Sequence, residues 1–412
     1  MGRAADRQTL ARLGLLGSLY FAQGLPFGFF TQALPLLLRD RNYSLTAVGL
    51  SSLLAIPWAL KFLWAPVVER HWWPRIGRRR SWILAMQLAA TVALLALAVV
   101  PGGTSSMPVL MTAVFALNVI AATQDIATDG LAVEMLGPDE RGFANGLQVA
   151  GYRVGMIVGG GVLLILHAQL GARGTFLAMA VLTALASVPV LRATEPPTIA
   201  RVATAPSARH FLHRPGAWHV IALLAIYKAG EAFATGMLRP YLHDAGLSLG
   251  DVGWLLGTVG FVAGMLGALA GGALVNRLGR QRALLGFGAA QAATVAGYAV
   301  LALGSPDRVA LYALCGVEHF ASGMATAALF TCMMDWSRAG ESATDYTVQA
   351  SAVVIATGGA AALSGVSAEA LGYAAHFTLA TVLCLGAIGA VALVFPHTHP
   401  LIDEGARDAR NG

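Results

Sequence analysis

Apolar runs longer than about 18 residues follow one another along almost all of this 412-residue chain. Few folds tolerate that. A run of this length, without alternation of apolar and polar positions, reads as a helix able to cross a bilayer. Backbone amides in lipid must be satisfied within the protein, which leaves helices or a closed barrel, and the missing period-two pattern removes the barrel. Composition agrees: 57% of residues are hydrophobic and 12% charged, more apolar surface than a water-soluble domain of this size can hide. The fold class expected is an all-α membrane protein with about twelve spans, near 12–38, 46–68, 80–100, 107–131, 142–168, 173–192, 217–243, 249–276, 282–303, 308–336, 344–371 and 373–395.

One short basic loop occurs twice. The first copy is Glu69-Arg70 and, after a small insertion, Gly77-Arg78-Arg79-Arg80; the second is Asn276-Arg277-Leu278-Gly279-Arg280-Gln281-Arg282. The leading arginines are 277 − 70 = 207 residues apart, half the chain, and Tyr20 and Tyr227 keep the same interval. Asp129 and Asp335, at the inner ends of spans 4 and 10, are 206 apart. The doubling predicts two six-helix bundles, 1–192 and 217–412, joined by the linker 193–216 with its Pro196-Pro197 pair.

Charge sets the orientation. Of 27 lysines and arginines, 19 fall in loops and tails on one side and five on the other, leaving Lys61, Arg153 and Lys228 within spans. The positive-inside rule then places both termini, the linker and both basic loops in the cytoplasm of a multi-pass inner-membrane protein. The net charge of +6 is explained by those loop arginines, so the bilayer is expected as a partner and nucleic acid is not. The first apolar segment is too long for the core of a cleaved signal peptide.

Several chemistries are absent. Cys315, Cys332 and Cys384 all lie in spans without metal-ligand spacing and read as packing residues. The two lysines precede Phe62 and Ala229, so neither belongs to a phosphate-binding GxxxxGK[ST] loop. No nucleophile–base or metal constellation stands out. An enzyme is not expected, nor a catalytic residue, metal or cofactor; secondary transport is.

The basic loops resemble the GxxxDRxGRR signature of the major facilitator superfamily, which lies between spans 2–3 and 8–9. The second copy, Gly272 through Asn276-Arg277 to Gly279-Arg280, fits closely; the first has Ala65 for the glycine, Glu69 for the aspartate and His71 to Ile76 inserted. Further runs resemble the AmpG-like permeases of that superfamily: Gln23-Gly24-Leu25-Pro26, Lys61-Phe62-Leu63-Trp64-Ala65-Pro66, Gln124-Asp125-Ile126 with Asp129, Gly151-Tyr152-Arg153-Val154-Gly155-Met156, Tyr227-Lys228-Ala229-Gly230-Glu231-Ala232-Phe233, and Gly323-Met324-Ala325-Thr326-Ala327-Ala328. The six runs come in order in spans 1, 2, 4, 5, 7 and 10, so the resemblance extends over most of the chain. The resemblance implies the major facilitator fold and a cargo among muropeptides, acyl-CoA and siderophores. Muropeptide importers usually carry more than twelve spans, and the opening Gln23 to Pro35 looks most like the siderophore-importing RhtX/FptX branch.

Ionisable groups near the bilayer centre cost roughly 2.5–3.5 kcal/mol on insertion scales, so each needs a partner or a task. Lys228 and Glu231, at i and i+3, share one helical face, and Asp125 is the expected partner of Arg153. On the functional reading Tyr20, Gln23, Lys61, Gln124, Arg153, Tyr227 and Lys228 receive an anionic small molecule. Asp125, Glu231 and Glu318 are then candidates to carry the proton, Glu318 standing beside His319. On the structural reading the pairs only fix helix register. Glu69, Arg70, Arg78, Asp129, Asn276, Arg277, Arg280 and Asp335 are assigned to a cytoplasmic gate, an acid at one helix end latching the bases that start the next. The function expected is proton-coupled import of a medium-sized anion, a siderophore first, by a monomer working through alternating access. A muropeptide or acyl-CoA transporter is the alternative, and a multi-span membrane enzyme or a transport-dead sensor the more remote ones. Symport against antiport stays open.

Overall fold

The computed structural model describes residues 2–40, 43, 51–99, 106–195, 207–304, 306–338 and 340–395. Part of the linker (196–206), the first residues of span 2 and the tail with Arg407 and Arg410 lie outside the described residues. The described chain is helical throughout apart from connections and one isolated bridge, Trp73 with Gly77.

Among the described residues twelve long helical segments follow in order: α1 (residues 2–40), α2 (51–70), α3 (Arg78–Val99), α4 (Met107–Met135), α5 (138–170), α6 (172–192), α7 (217–244), α8 (249–278), α9 (Arg280–Leu301), α10 (Arg308–Asp335), α11 (342–371) and α12 (373–394). Continuous helix runs through the α5–α6 and α11–α12 boundaries except at Gly171 (φ 64°) and Gly372 (φ 76°). Nine stretches among the described residues are long and apolar enough to cross a membrane on their own, the 53-residue Ser342–Val394 counting once. A short helix, Ala208–Leu212, lies within the expected linker.

Local chemistry explains several boundaries. Ser248 accepts from the amide of Asp251 while Asp251 accepts from the amide of Ser248, a reciprocal cap that starts α8. Asp307 caps α10 through the amide of Val309. Prolines disrupt two helices. In α1, Pro26 and Pro35 each remove an amide donor, and a π-helical turn, Phe29–Ala33, lies between them. In α2, Pro57 and Pro66 open separate short helices, Ile56–Leu60 and Ala65–Arg70, with a tight 3₁₀ turn, Lys61–Leu63, between. That break falls on an intramembrane cation.

Burial is inverted relative to a water-soluble protein. Leu88, Val92, Leu95 and Val99 on α3, Val181 and Leu185 on α6, and Leu379, Val382 and Leu383 on α12 are exposed, while Lys61, Glu69, Arg79, Asp129 and Glu318 are buried. Apolar faces turn outward because lipid, not water, is the solvent there.

The chain forms two compact units, each discontinuous in sequence: residues 1–135 with 151–208 and 339–347, and residues 136–150 with 209–338 and 348–412. In the first unit one apolar cluster gathers Phe29, Phe30, Leu94, Leu117 and Phe176, and another Leu19, Val68, Ile83, Ile126 and Leu131. Between Leu117 and Ile126 on α4 stand Asn118, Thr123, Gln124 and Asp125. In the second unit Phe233, Leu242, Val295, Tyr298, Leu311 and Phe377 form the main apolar cluster.

Candidate functional site

In the first unit the break in α2 points Lys61 into the interior, where it forms an ion pair with Asp125 of α4. Asp129, one helical turn on, lies 3.9 Å from the same ammonium and accepts a 2.8 Å hydrogen bond from the Tyr20 hydroxyl of α1. The Trp58 ring lies 5.7 Å from the Lys61 nitrogen and is fixed by its own 2.9 Å bond to Asn118. The Gln23 carboxamide and the Gln124 nitrogen are buried with no protein partner. Two carboxylates thus face one ammonium, and the cluster can take one further positive charge, a proton being the smallest. Asp125 was expected to meet Arg153, and Asp129 to meet the basic loop; the structure seats both acids with Lys61. Arg153 is half-buried on α5.

Glycines let α1 and the later part of α5 touch backbone to backbone. A β-carbon on Gly24 would strike Tyr152 and Gly155, one on Gly155 would strike Phe21 and Gly24, and one on Gly159 would strike Leu25. The glycine stripe of span 5 is therefore a close-packing surface. Both partners carry a π-helical turn in this region, Phe29–Ala33 and Ile157–Val162.

In the second unit Lys228 and Glu231 form the i, i+3 ion pair read from the sequence. Two hydroxyls of α10 secure it: Ser322 donates to Glu231 Oε1 at 2.5 Å, and Lys228 Nζ donates to Thr326 Oγ1 at 3.2 Å. Tyr227 donates to the Leu284 carbonyl of α9 at 2.9 Å. Glu318 is buried, with one oxygen 2.7 Å from His319 Nδ1 and the other without a partner.

The basic loops are built alike. Gly77 (φ 121°) and Gly279 (φ 83°) take left-handed conformations that an L side chain resists, turning the chain sharply into α3 and α9. In the first unit, Arg79 pairs with both Glu69 and Glu134, the latter at 2.6 Å, and Arg78 meets Glu69 at 2.7 Å. The start of α11 is held there too. Thr344 donates its amide to Glu69 at 2.7 Å, and Ser342 donates to Glu134 at 2.7 Å. Glu195 accepts from the amides of Arg79 and Arg80, capping α3. In the second unit, Arg280 pairs with Asp335 and bonds Asn276, both at 2.6 Å, and donates to the Pro138 carbonyl at 2.8 Å. Arg141 reaches Asp335 at 2.8 Å, and Asn276 donates to the Asp139 carbonyl. Arg70 and Arg277, the leading arginines of the sequence signature, are exposed.

Arg79 and Glu134 are 55 residues apart, and so are Arg280 and Asp335. The six inserted residues His71 to Ile76 shift the repeat from 207 to 201, and 280 − 79 and 335 − 134 both equal 201. The counterpart of Asp335 is therefore Glu134 and not Asp129. Carrying the insertion through the repeat would have found both Arg79 and Glu134. Arg141, Ser342 and Glu195 carry no such signal.

Among the described residues no group of three or more His, Cys, Asp or Glu side chains could hold a metal ion.

Residues 16–317 and 229–409 match the sequence profile of the Major Facilitator Superfamily. The anhydromuropeptide permease of Escherichia coli (strain K12) is 33% identical over 346 residues, spanning 82% of this chain and 70% of that protein. Among solved structures, the E. coli fucose:proton symporter superposes with a TM-score of 0.73 at 13% identity, covering 95% of this chain and 100% of that one. A bacterial homologue of the iron transporter ferroportin, in an outward-facing state, gives 0.70 at 16% identity, covering 93% and 98%. At these identities the structural likenesses speak for the fold alone.

Proposed function

The chain belongs to the major facilitator superfamily as an AmpG-like permease, a membrane transporter and not an enzyme, and from that premise we propose that it imports an anionic, medium-sized solute by proton-coupled alternating access. One observation carries the reading: each compact unit holds a buried lysine neutralised by a buried acid, Lys61 with Asp125 and Lys228 with Glu231. Such pairs are expensive to keep in a membrane interior, and that cost is the ground for reading them as cargo and ion sites. Protonating Glu231 cancels its charge and releases Lys228 for an anionic group of the cargo; deprotonation restores the pair and expels the anion. Asp125 and Asp129 act on Lys61 in the same way. Tyr20, Gln23, Gln124, Arg153 and Tyr227 complete the polar lining. The loops with Glu69, Arg70, Arg78, Asn276, Arg277, Arg280 and Asp335 gate and do not select. Both termini face the cytoplasm in this reading, the protein works in the inner membrane as a monomer, and its two functional halves are 1–192 and 217–412.

An anhydromuropeptide is the cargo to test first, because 33% identity extends over 82% of the chain. The siderophore reading rests on the opening of α1 alone. Purified protein in proteoliposomes would be given labelled anhydromuropeptide, acyl-CoA and ferric siderophore, with and without an inward proton gradient. Gradient-dependent uptake of anhydromuropeptide alone supports the reading. Uptake of the siderophore alone replaces the cargo, and uptake indifferent to the gradient removes the proton.

A further inference from the structure

Glu318, Ser322 and Thr326 recur at four-residue intervals along α10 and form one stripe. Ser322 and Thr326 hold the two members of the Lys228–Glu231 pair. Glu318 continues the stripe one turn, about 6 Å, toward the start of the helix. It is 1% exposed, and its Oε1 has no partner. Its Oε2 lies 2.7 Å from His319 Nδ1. Nδ1 also meets the Cys315 carbonyl at 2.9 Å and, more weakly, Cys315 Sγ at 3.6 Å; the carbonyl can only accept, which puts the hydrogen on this nitrogen. His319 keeps 19% of its side chain exposed, and the Gly260 backbone of α8 packs against its ring.

We infer that Glu318 and His319 form a proton-loading dyad that feeds Glu231 through the Ser322 hydroxyl. The inference rests on the reading of Lys228–Glu231 as the coupled pair. A proton taken up by the imidazole passes from Nδ1 to Glu318. Neither Glu318 oxygen bonds Ser322 while the carboxylate is held by His319. The protonated carboxyl therefore turns away from the ring to reach the Ser322 oxygen, and the Ser322 hydroxyl releases its own proton to Glu231 Oε1. One proton moves from His319 to Glu231; Glu318 and Ser322 regain their starting protonation, and His319, left with its hydrogen on Nε2, resets by proton exchange through its exposed edge. The other titratable groups facing Glu318 are Cys315 on its own helix, Tyr298 of α9 and Cys384 of α12, with Tyr241 of α7 behind Tyr298. The Tyr241 hydroxyl is buried without a partner, and that of Tyr298 is buried facing Cys315. In the proposed orientation α10 runs from outside to inside, so the dyad precedes Glu231 on the route of an incoming proton.

The test uses the full-length protein in lipid, first without any cargo. The protonated-carboxyl stretch is followed by infrared difference spectroscopy across a pH titration. Wild type and E231Q should share a band that E318Q lacks, that E318D retains, and whose midpoint H319Q moves by about one pH unit. A band left intact in E318Q overturns the dyad, whatever the cargo. Gradient-driven uptake should then be lost in E318Q and partly recovered in E318D; wild-type gradient dependence in E318Q overturns delivery to Glu231. If the band behaves as expected while wild type shows no gradient-driven uptake, the dyad stands and the coupled-transport reading is the part that fails.

Discussion

Lys228 and Glu231 are the residues at which structural and functional roles separate most cleanly. Removing the lysine alone leaves a buried carboxylate facing Ser322 without its cation, a loss of about 3–5 kcal/mol for a pair of this kind. Lys228→Ala should therefore lower the unfolding temperature of the detergent-solubilised protein by several degrees. The double variant K228M/E231L removes both charges and should return most of that stability, because no uncompensated charge remains. Uptake should stay abolished in both. Normal transport by the double variant would make the pair a register device and sink its assignment to the cargo. At Lys61 the same logic meets an unequal cluster, two acids for one base. Lys61→Ala should be the more damaging change, and the added replacement D125N should recover stability only in part, since Asp129 keeps its charge. Thermal unfolding of the single and double variants would decide it; full recovery would mean that Asp129 does not share the ammonium.

Helices were the easiest layer to read, because run length and the arginine bias act over tens of residues and survive local irregularity. Interruptions within helices were harder. Pro57 and Pro66 are visible in the chain, yet only the folded path of α2 shows that the break turns Lys61 toward α4. Pairing was legible where both partners share one helix, as Lys228 and Glu231 do, since a 3.6-residue period fixes their faces. It was not legible between helices: nothing in the order of residues says whether Asp125 meets Arg153 or Lys61. The glycines of α5 belong to this scale as well. G155A should destabilise, since its β-carbon would run into the α1 backbone, whereas G161A, with no atom within 4 Å of the added carbon, should be neutral or slightly stabilising. Unfolding temperatures of the two variants check this directly. Equal stability would mean that α1 can withdraw from α5 without cost.

At the scale of the whole molecule, one ancestral device is kept twice in altered form. Its first copy carries six more residues and keeps an acid, Glu69, at the position where the second has Asn276. In both, the spacing of 55 residues from arginine to acid is preserved. In each compact unit the arginine–acid pair also fixes the first turn of another helix, α11 through Ser342 and Thr344, α5 through Pro138 and Asp139. Such a contact acts as a latch if the latched arrangement is one of two that the transporter visits. Loss of a buried pair costs about 3–5 kcal/mol, and about 5.5 kcal/mol takes a two-state equilibrium from 1:99 to 99:1. Arg79→Ala or Arg280→Ala is thus large enough to repopulate the cycle. Both variants should reach the membrane folded and show much reduced initial rates of uptake. The exchanges R79E/E134R and R280D/D335R should each recover part of the rate, since the attraction is kept with its direction reversed. Exposed Arg277→Ala should leave the rate near wild type, because the ion pair of its loop runs through Arg280. Wild-type rates in Arg79→Ala and Arg280→Ala would show that the loops only orient the chain in the membrane. A defect in Arg277→Ala as deep as that in Arg280→Ala would move the latch back to the leading arginines of the signature.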